Sequence, residues 1–385
     1  MAKGMAVLGR ALAWVSVHKA VRLDAAEELS HADAPPKVEA NGRAVVDNSL
    51  FVLQRLLRRA AHCCDGAIGV AAIAAAAQLL MRPLLAQLSR GLEQTISTKL
   101  SDKLAAAAAA ATATAATAAA DAGVGAQYAG VANVADRAGL THNAAAAARQ
   151  AALQRALNAV QQCAHNVPKL WAQATEEFTR ALPLAERPAV LAELGRAQVV
   201  EDGLRAALDD GLGQLAASLL PRLRPRLETF GTMSYVLQSE ANFAAAESDS
   251  FVAAYLVELE ALLAALQPHL AAEVLERLLQ LLLKASTERL EALLLTKELD
   301  HLGALQLDRE LRTLSKRLSE LSARSVREKL TRLTQMSTLL NLEREAELTE
   351  LWGEGGWQLT AAEARQVLAL RVDFRKDTIA QLVLD

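Results

Sequence analysis

Between residues 270 and 340, large apolar side chains recur at steps of three and four. Val274, Leu275, Leu278, Leu279, Leu282 and Leu283 make one row. Leu311, Leu314, Leu318 and Leu321 make a second, and Val326, Leu330, Leu333, Met336 and Leu340 a third. That spacing lines one face of an α-helix. The residue supply agrees with it. The chain is 52% hydrophobic but only 3% aromatic, and alanine and leucine provide most of the apolar content. Both favour helices, whereas the β-branched and aromatic residues that strands need are scarce. An Ala/Leu core suits close helix packing, so the expected fold class is all-α, successive helical bundles joined end to end. No fixed-period repeat of the ankyrin or tetratricopeptide type is present.

In chain order, Trp14–Leu29 reads as a helix and Ser30–Asn48, with Pro35, Pro36 and Gly42, as a loop. A helix over SLFVLQRLLRRAAHCC follows, with Leu50, Leu53, Leu56, Leu57 and Ala60 on one side, then a third over Ile68–Leu80. A fourth runs from Pro83 toward Leu104. Ala105–Ala148 is dominated by Ala, Thr and Gly and reads as a linker without a core. Helices are expected again over Ala151–Cys163, Leu170–Leu182 and Pro188–Leu220, the last ended by Pro221 and Pro225. Phe230–Ser250 reads as a connection. Helices over Phe251–Leu266, Leu270–Leu295, Leu305–Leu321 and Ala323–Leu351 complete the pattern. Four segments result: an upstream bundle, 1–104; the Ala/Thr-rich insert, 105–148; a central bundle, 149–300; and a small C-terminal bundle, 301–385.

The last segment has the sharpest punctuation. Gly353–Leu359 is a turn, and Thr360 with Glu363 three residues on fits a capping box. The helix it opens continues to about Leu370, and Val372-Asp373-Phe374 turns the chain into a final short helix.

Catalytic signatures are missing. There is no HExxH, no Gly-rich phosphate loop and no GxSxG, so no enzyme class, cofactor or metal is implied. His62-Cys63-Cys64 is the nearest approach to a ligand cluster, but neighbours on a helix point apart. A buried structural role is expected for both cysteines. Three cysteines, two of them adjacent, fit a reducing compartment. A formal net charge of −3 argues against nucleic acid as a partner. Arg222, Arg224 and Arg226, and likewise Arg371, Arg375 and Lys376, read as solvated faces, with a contact to anionic lipid or an acidic partner helix the minority reading. Ala67–Met81 is fifteen apolar-rich residues between Asp65 and Arg82, short of the roughly 20 a membrane span needs. The N-terminal stretch reads as the tail of a domain helix, not a targeting peptide.

The C-terminal motifs resemble the family of subunit 4 of the conserved oligomeric Golgi complex. The residues that carry the likeness are Leu302–Gln306, Asp308–Leu311, Arg327-Glu328-Lys329, Arg332–Met336, Leu339–Arg344, Trp352-Gly353 and, most specifically, the run Ala362–Arg375. Weaker similarity reaches Phe251–Leu295, Val46–Ala60 and Lys19–Asp24. The likeness is to the C-terminal half of the family's members. Their N-terminal half, with its coiled-coil and fusion-machinery contacts, has no counterpart here, and a truncated or incomplete product is the expectation.

This resemblance implies antiparallel helical bundles stacked into an elongated rod. It also implies a non-enzymatic subunit of a multisubunit Golgi vesicle tether, acting in retrograde intra-Golgi transport and the recycling of glycosylation enzymes. The implied location is the cytosolic face of the Golgi membrane, peripherally, and the cytosol. Implied partners are the other tether subunits, with membrane-fusion proteins and small GTPases. A stand-alone helical scaffold or peripheral lipid-binding protein, meeting membrane through Ala67–Met81 and the basic clusters, is the competing class. Charged residues inside the family-like motifs, Arg332, Glu363, Arg365, Arg371 and Asp373, are the candidates for interaction or helix locking. Arg332 either pairs with Glu363 or leaves Glu363 to cap its own helix.

Overall fold

The computed structural model describes residues 43–80, 129–248, 250–353 and 356–382. The expected helices over Trp14–Leu29 and Pro83–Leu104, and the insert as far as residue 128, lie outside them. Among the described residues the chain is all-α, with isolated parallel bridges joining Tyr235 to Leu299 and Leu299 to Arg371 in place of any strand. It divides into two compact units: residues up to Gly211 with His269–Ala271, and Leu212–Pro268 with Ala272 onward.

The first unit contains α1 (Arg43–His62), α2 (Gly66–Leu79), α3 (Ala129–Ala181), α4 (Arg187–Ala197) and the start of α5 (Val199–Thr232). Helix α1 begins at Arg43, upstream of the expected cap, and buries Leu53, Leu57, Ala60 and Ala61. It packs along α3, whose Leu157, Val160, Val167, Trp171 and Phe178 are buried. Helix α2 has almost no large side chain, so it packs by closeness. Its start is capped by Asp65, which accepts from the N–H groups of Ala67 and Ile68. A Cβ on Gly69 would sit 2.9 Å from Phe178 Cε1. Gly66, Gly69, Ala72, Ile73, Ala75, Ala76 and Leu79 are buried. Half of α2 is therefore core.

Two expectations are corrected in this unit. Ala151–Cys163 and Leu170–Leu182 are one helix, α3, which runs through Pro168 and reaches back to Ala129 inside the expected insert. Cys63 and Cys64 are exposed, and Cys163 is the buried cysteine. The pair sits in the turn after α1, beyond its apolar stripe, where Cys64 takes a left-handed φ of 49°.

Prolines do not end α5. The helix continues through Pro221 and Pro225 to Thr232. Each interior proline costs a hydrogen bond and about 3 kcal/mol. Leu215, Leu219, Leu223, Leu227 and Phe230 offset that loss, because they stay on one buried stripe only if the helix continues.

The second unit adds α6 (Glu240–Ser248), α7 (Phe251–Leu266), α8 (Ala272–Leu294), α9 (His301–Leu321), α10 (Arg327–Leu340), α11 (Glu347–Gly353), α12 (Ala361–Leu368) and α13 (Lys376–Gln381). Phe230–Ser250, read as a connection, thus carries α6. Ala323–Leu351, read as one helix, is two: α10 ends at Leu340, and α11 begins at Glu347. The three leucine rows become the buried faces of α8, α9 and α10, and α10 contacts α8, α9 and α12.

The start of α9 fixes the centre of this unit. Asp300 caps it by accepting from Gly303 N–H at 2.7 Å, and its other oxygen takes Leu237 and Gln238 N–H at 2.8 and 2.7 Å. The backbone passes so close that a Cβ on Gly303 would lie 1.7 Å from the Tyr235 carbonyl oxygen. Only glycine fits there.

Candidate functional site

The five candidate residues fall into two separate clusters and one tether point. The first cluster forms around Arg332 on α10. Its Nε donates to Glu291 Oε2 on α8 at 3.0 Å, Nη1 to the Gln358 carbonyl at 3.0 Å, and Nη2 to Glu363 Oε1 on α12 at 2.8 Å. One guanidinium fork thus spans two helices and a loop beyond its own. Three residues on, Gln335 holds the same loop: it donates to the Gly356 carbonyl at 3.0 Å and accepts from Gln358 N–H at 2.9 Å. Gly356 takes φ +80° in that loop, a conformation for which glycine is suited.

Glu363 serves two purposes at once. One oxygen takes Arg332. The other accepts Thr360 N–H at 2.8 Å and Thr360 Oγ1–H at 3.0 Å, and Glu363 N–H donates to Thr360 Oγ1 at 3.2 Å. The capping box and the interhelix pair, set as alternatives by the sequence, coexist because a carboxylate has two oxygens. Hydrogen bonding from Arg332, then from Thr360 N–H, holds the Glu363 carboxyl down to about 2. Arg332 is correspondingly held protonated, by Glu363 first and Glu291 second. The Arg332 and Glu363 side chains remain about one-third exposed, at 32% and 35%.

The second cluster centres on a buried arginine. Arg371, expected on a solvated face, is only 2% exposed. It lies in a turn covered by the end of α10, which helical periodicity does not reveal. Its Nε and Nη2 grip both oxygens of Asp373, at 2.7 and 2.6 Å. Its Nη1 donates to the carbonyls of Leu340 and Leu342, groups left without helical partners where α10 stops. The guanidinium carbon stands 4.2 Å from the Phe374 ring centroid. The backbone on both sides is fastened to Leu299, whose N–H donates to the Leu370 carbonyl and whose carbonyl accepts from Val372 N–H, each at 2.9 Å. The Asp373 carboxyl is held below its usual range by the Arg371 hydrogen bond.

Arg365 joins neither cluster. Its Nε and Nη2 donate to the Leu382 carbonyl at 3.3 and 2.9 Å, holding the segment after α13 against α12.

Sequence reasoning missed Glu291 and a buried polar group around Tyr235. Tyr235 Oη donates to Glu310 Oε2 at 2.5 Å, and Gln306 Nε2 donates to Glu310 Oε1 at 3.2 Å. Lys297 Nζ donates to the carbonyls of Gly231 and Met233 and stands 5.3 Å from the Tyr235 ring centroid. Burial pushes the Glu310 carboxyl up and the Lys297 ammonium down. A groove of about 430 Å³ between α7 and α9 reaches Gln306 and Glu310. Glu310 and Gln306 sit on the leucine-bearing helix α9, and a charged residue turned inward beside such a row was the available signal.

Among the described residues, no set of three or more His, Cys, Asp or Glu side chains could hold a metal ion. No helix there is long and apolar enough to cross a membrane. Arg222 and Arg224 are exposed, paired with Glu258 and Glu228.

The family model described as "Conserved oligomeric Golgi complex subunit 4, C-terminal" matches residues 153–366. Curated relatives carry the name "Conserved oligomeric Golgi complex subunit 4". The one from Arabidopsis thaliana is 30% identical over 235 residues, covering 60% of this chain and 32% of that protein. The one from Homo sapiens is 32% identical over 241 residues, covering 59% and 30%. The chain spans about a third of the length of these relatives. In fold it is similar to the crystal structure of the C-terminal domain of the exocyst subunit Sec6p. The TM-score is 0.59 at 11% sequence identity, over 98% of this chain and 88% of that one.

Proposed function

The chain belongs to the conserved oligomeric Golgi complex subunit 4 family, and from that membership we propose that it works as a non-enzymatic subunit of a multisubunit Golgi vesicle-tethering complex. The observation that carries this is the family match over residues 153–366, more than half of the chain. In this role the chain supports retrograde intra-Golgi transport and the recycling of glycosylation enzymes. It acts by surface recognition, as a peripheral protein on the cytosolic face of the Golgi membrane. Its partners are the other subunits of the complex, with membrane-fusion proteins and small GTPases as further contacts.

Within that role, Arg332, Glu363, Arg365, Arg371 and Asp373 serve as locks and not as partner contacts. Each is already engaged by this chain's own groups. They keep the C-terminal helices in the arrangement whose outer surface a partner meets. The competing lipid-binding class is weakened at its main element, because half of α2, including Ile73 and Leu79, is buried in the core.

Affinity purification of the tagged chain at near-native expression, followed by mass spectrometry, tests the proposal. Co-purification of other tether subunits is expected. Recovery of the chain without any of them would overturn it.

A further inference from the structure

The turn after α1 is the one place where the chain sets two thiols side by side in solvent. Cys63 and Cys64 are both exposed. Cys63 N–H and Cys64 N–H close the turn on the carbonyls of Ala60 and Ala61, and the Cys63 thiol donates to the Arg59 carbonyl at 3.3 Å. Cys64 terminates the helix in the left-handed region, a position that ordinarily goes to glycine or asparagine. A reactive side chain thus stands where the local backbone would prefer none.

The helix that leads to this turn carries a matching face. Phe51, Arg55, Arg58 and His62 recur at steps of four and three, all exposed, with Arg59 beside them. Phe51 is 56% exposed, and the Arg55 guanidinium lies 5.5 Å from its ring centroid. Arg58 pairs with Glu177, while Arg55 and Arg59 form no ion pair among the described residues. An exposed aromatic ring and exposed arginines suit an anionic lipid surface, and the adjacent thiols at the end of the same helix suit a fatty-acyl donor. Metal binding is disfavoured, since no group of three or more His, Cys, Asp or Glu among the described residues could hold a metal ion.

We propose that Cys63 and Cys64 form an S-acylation site, with the basic face of α1 holding the acylated turn on an anionic membrane. The co-reactant is a long-chain acyl-coenzyme A. The cysteine sulfur attacks the thioester carbonyl carbon and forms a new S–C bond. The bond from that carbon to the coenzyme sulfur breaks, and the coenzyme leaves as a thiol carrying the proton that cysteine gave up. No electrons are transferred to or from an outside agent. A single acyl chain gives only marginal, reversible membrane binding, and a chain next to a basic patch gives a stable anchor. Cys163 is not a target. It is buried on α3, and burial first, then the Asp47 charge, pushes its thiol up to about 12. This site lies outside both arginine clusters and does not depend on the tether proposal.

The test uses the full chain expressed in eukaryotic cells fed an alkyne analogue of palmitate. The expected result is a label that neutral hydroxylamine removes, that falls to background in the Cys63→Ser/Cys64→Ser variant, and that survives in Cys163→Ala. Both thiols are exposed, so the double serine variant keeps its fold. An unlabelled wild-type chain, a hydroxylamine-resistant label, or a label retained by the double serine variant would overturn the site. In a second arm, Arg55→Gln/Arg59→Gln keeps the label but loses several-fold of its membrane-pelleted fraction, and this loss is reduced when salt is already high. Unchanged pelleting of that variant would overturn the role of the basic face. Neither readout involves co-purifying subunits, so failure here and failure of the tether proposal are distinguishable.

Discussion

Arg371 and Arg332 perform the same task in different surroundings. Each is an arginine with a carboxylate partner and backbone carbonyls in reach, and each fastens α10 to the chain that follows it. Arg371 is 2% exposed and Arg332 is 32% exposed. In the buried case the guanidinium replaces water for the last α10 carbonyl, that of Leu340, and for the Leu342 carbonyl just beyond it, so removing it strands the buried Leu340 acceptor away from solvent. At the surface, water takes over most of what the side chain leaves. Burial, and not partner count, is therefore expected to set the energetic weight of each arginine.

The largest effect should come from the backbone crossing that supports the buried cluster. Gly303→Ala places a Cβ against the Tyr235 carbonyl and forces α9 away from the Tyr235–Leu299–Arg371 bridges. A loss of more than about 3 kcal/mol is expected in denaturant unfolding of the chain. If this variant unfolds like wild type, the crossing is not the centre of the second unit.

Next in size is Arg371→Leu. It leaves Asp373 to resolvate, since that side chain is 44% exposed, but it strands the buried carbonyl of Leu340 and takes a donor from that of Leu342. A loss of about 2–3 kcal/mol is expected. Arg332→Ala should cost about 1 kcal/mol. A double-mutant cycle with Glu363→Ala should show coupling of about 0.5–1 kcal/mol, and zero coupling would mean that the surface pair contributes geometry without energy.

The smallest effect is a pH dependence in which two glutamates act with opposite sign. Glu363 has its carboxyl lowered from 4.5 to about 2 in the folded chain. Its contribution is present above pH 4.5 and is lost as pH falls toward 2. After allowance for solvent screening it amounts to no more than about 1 kcal/mol. Glu310 has its carboxyl raised by burial, so its stabilising effect is full below pH 4.5 and is lost as pH rises through the raised value. Acid titration of Glu363→Gln should therefore remove a loss of stability on the acid side. Glu310→Gln should remove a loss on the alkaline side of 4.5, and curves that move the other way would contradict these assignments.

The surface cluster was largely legible from sequence and the buried one was not. Thr360 and Glu363 stand three apart, and capping chemistry is local, so the box could be read from two letters. Arg332 and Glu363 stand out as charged residues inside the family-like motifs, although the sequence leaves their pairing open against capping alone. Glu291 could not be added, because a partner 41 residues away on α8 leaves no periodic trace. Arg371 was placed on a solvated face for a related reason. It lies in a turn between α12 and α13, and its burial comes from the end of α10 and from Leu299, neither of which its neighbours encode. The α5 prolines and the exposed Cys63-Cys64 pair fall on the same side of that line. Local propensity predicts an ending at Pro221, and the average habit of cysteine predicts burial, and in both cases tertiary packing decides otherwise.

Whether burial sets what each arginine lock is worth is decided by a side-by-side unfolding measurement of Arg371→Leu and Arg332→Leu in the full chain. Arg371→Leu is expected to lose at least about twice the stability that Arg332→Leu loses. Equal losses, or a larger loss at Arg332, would contradict it.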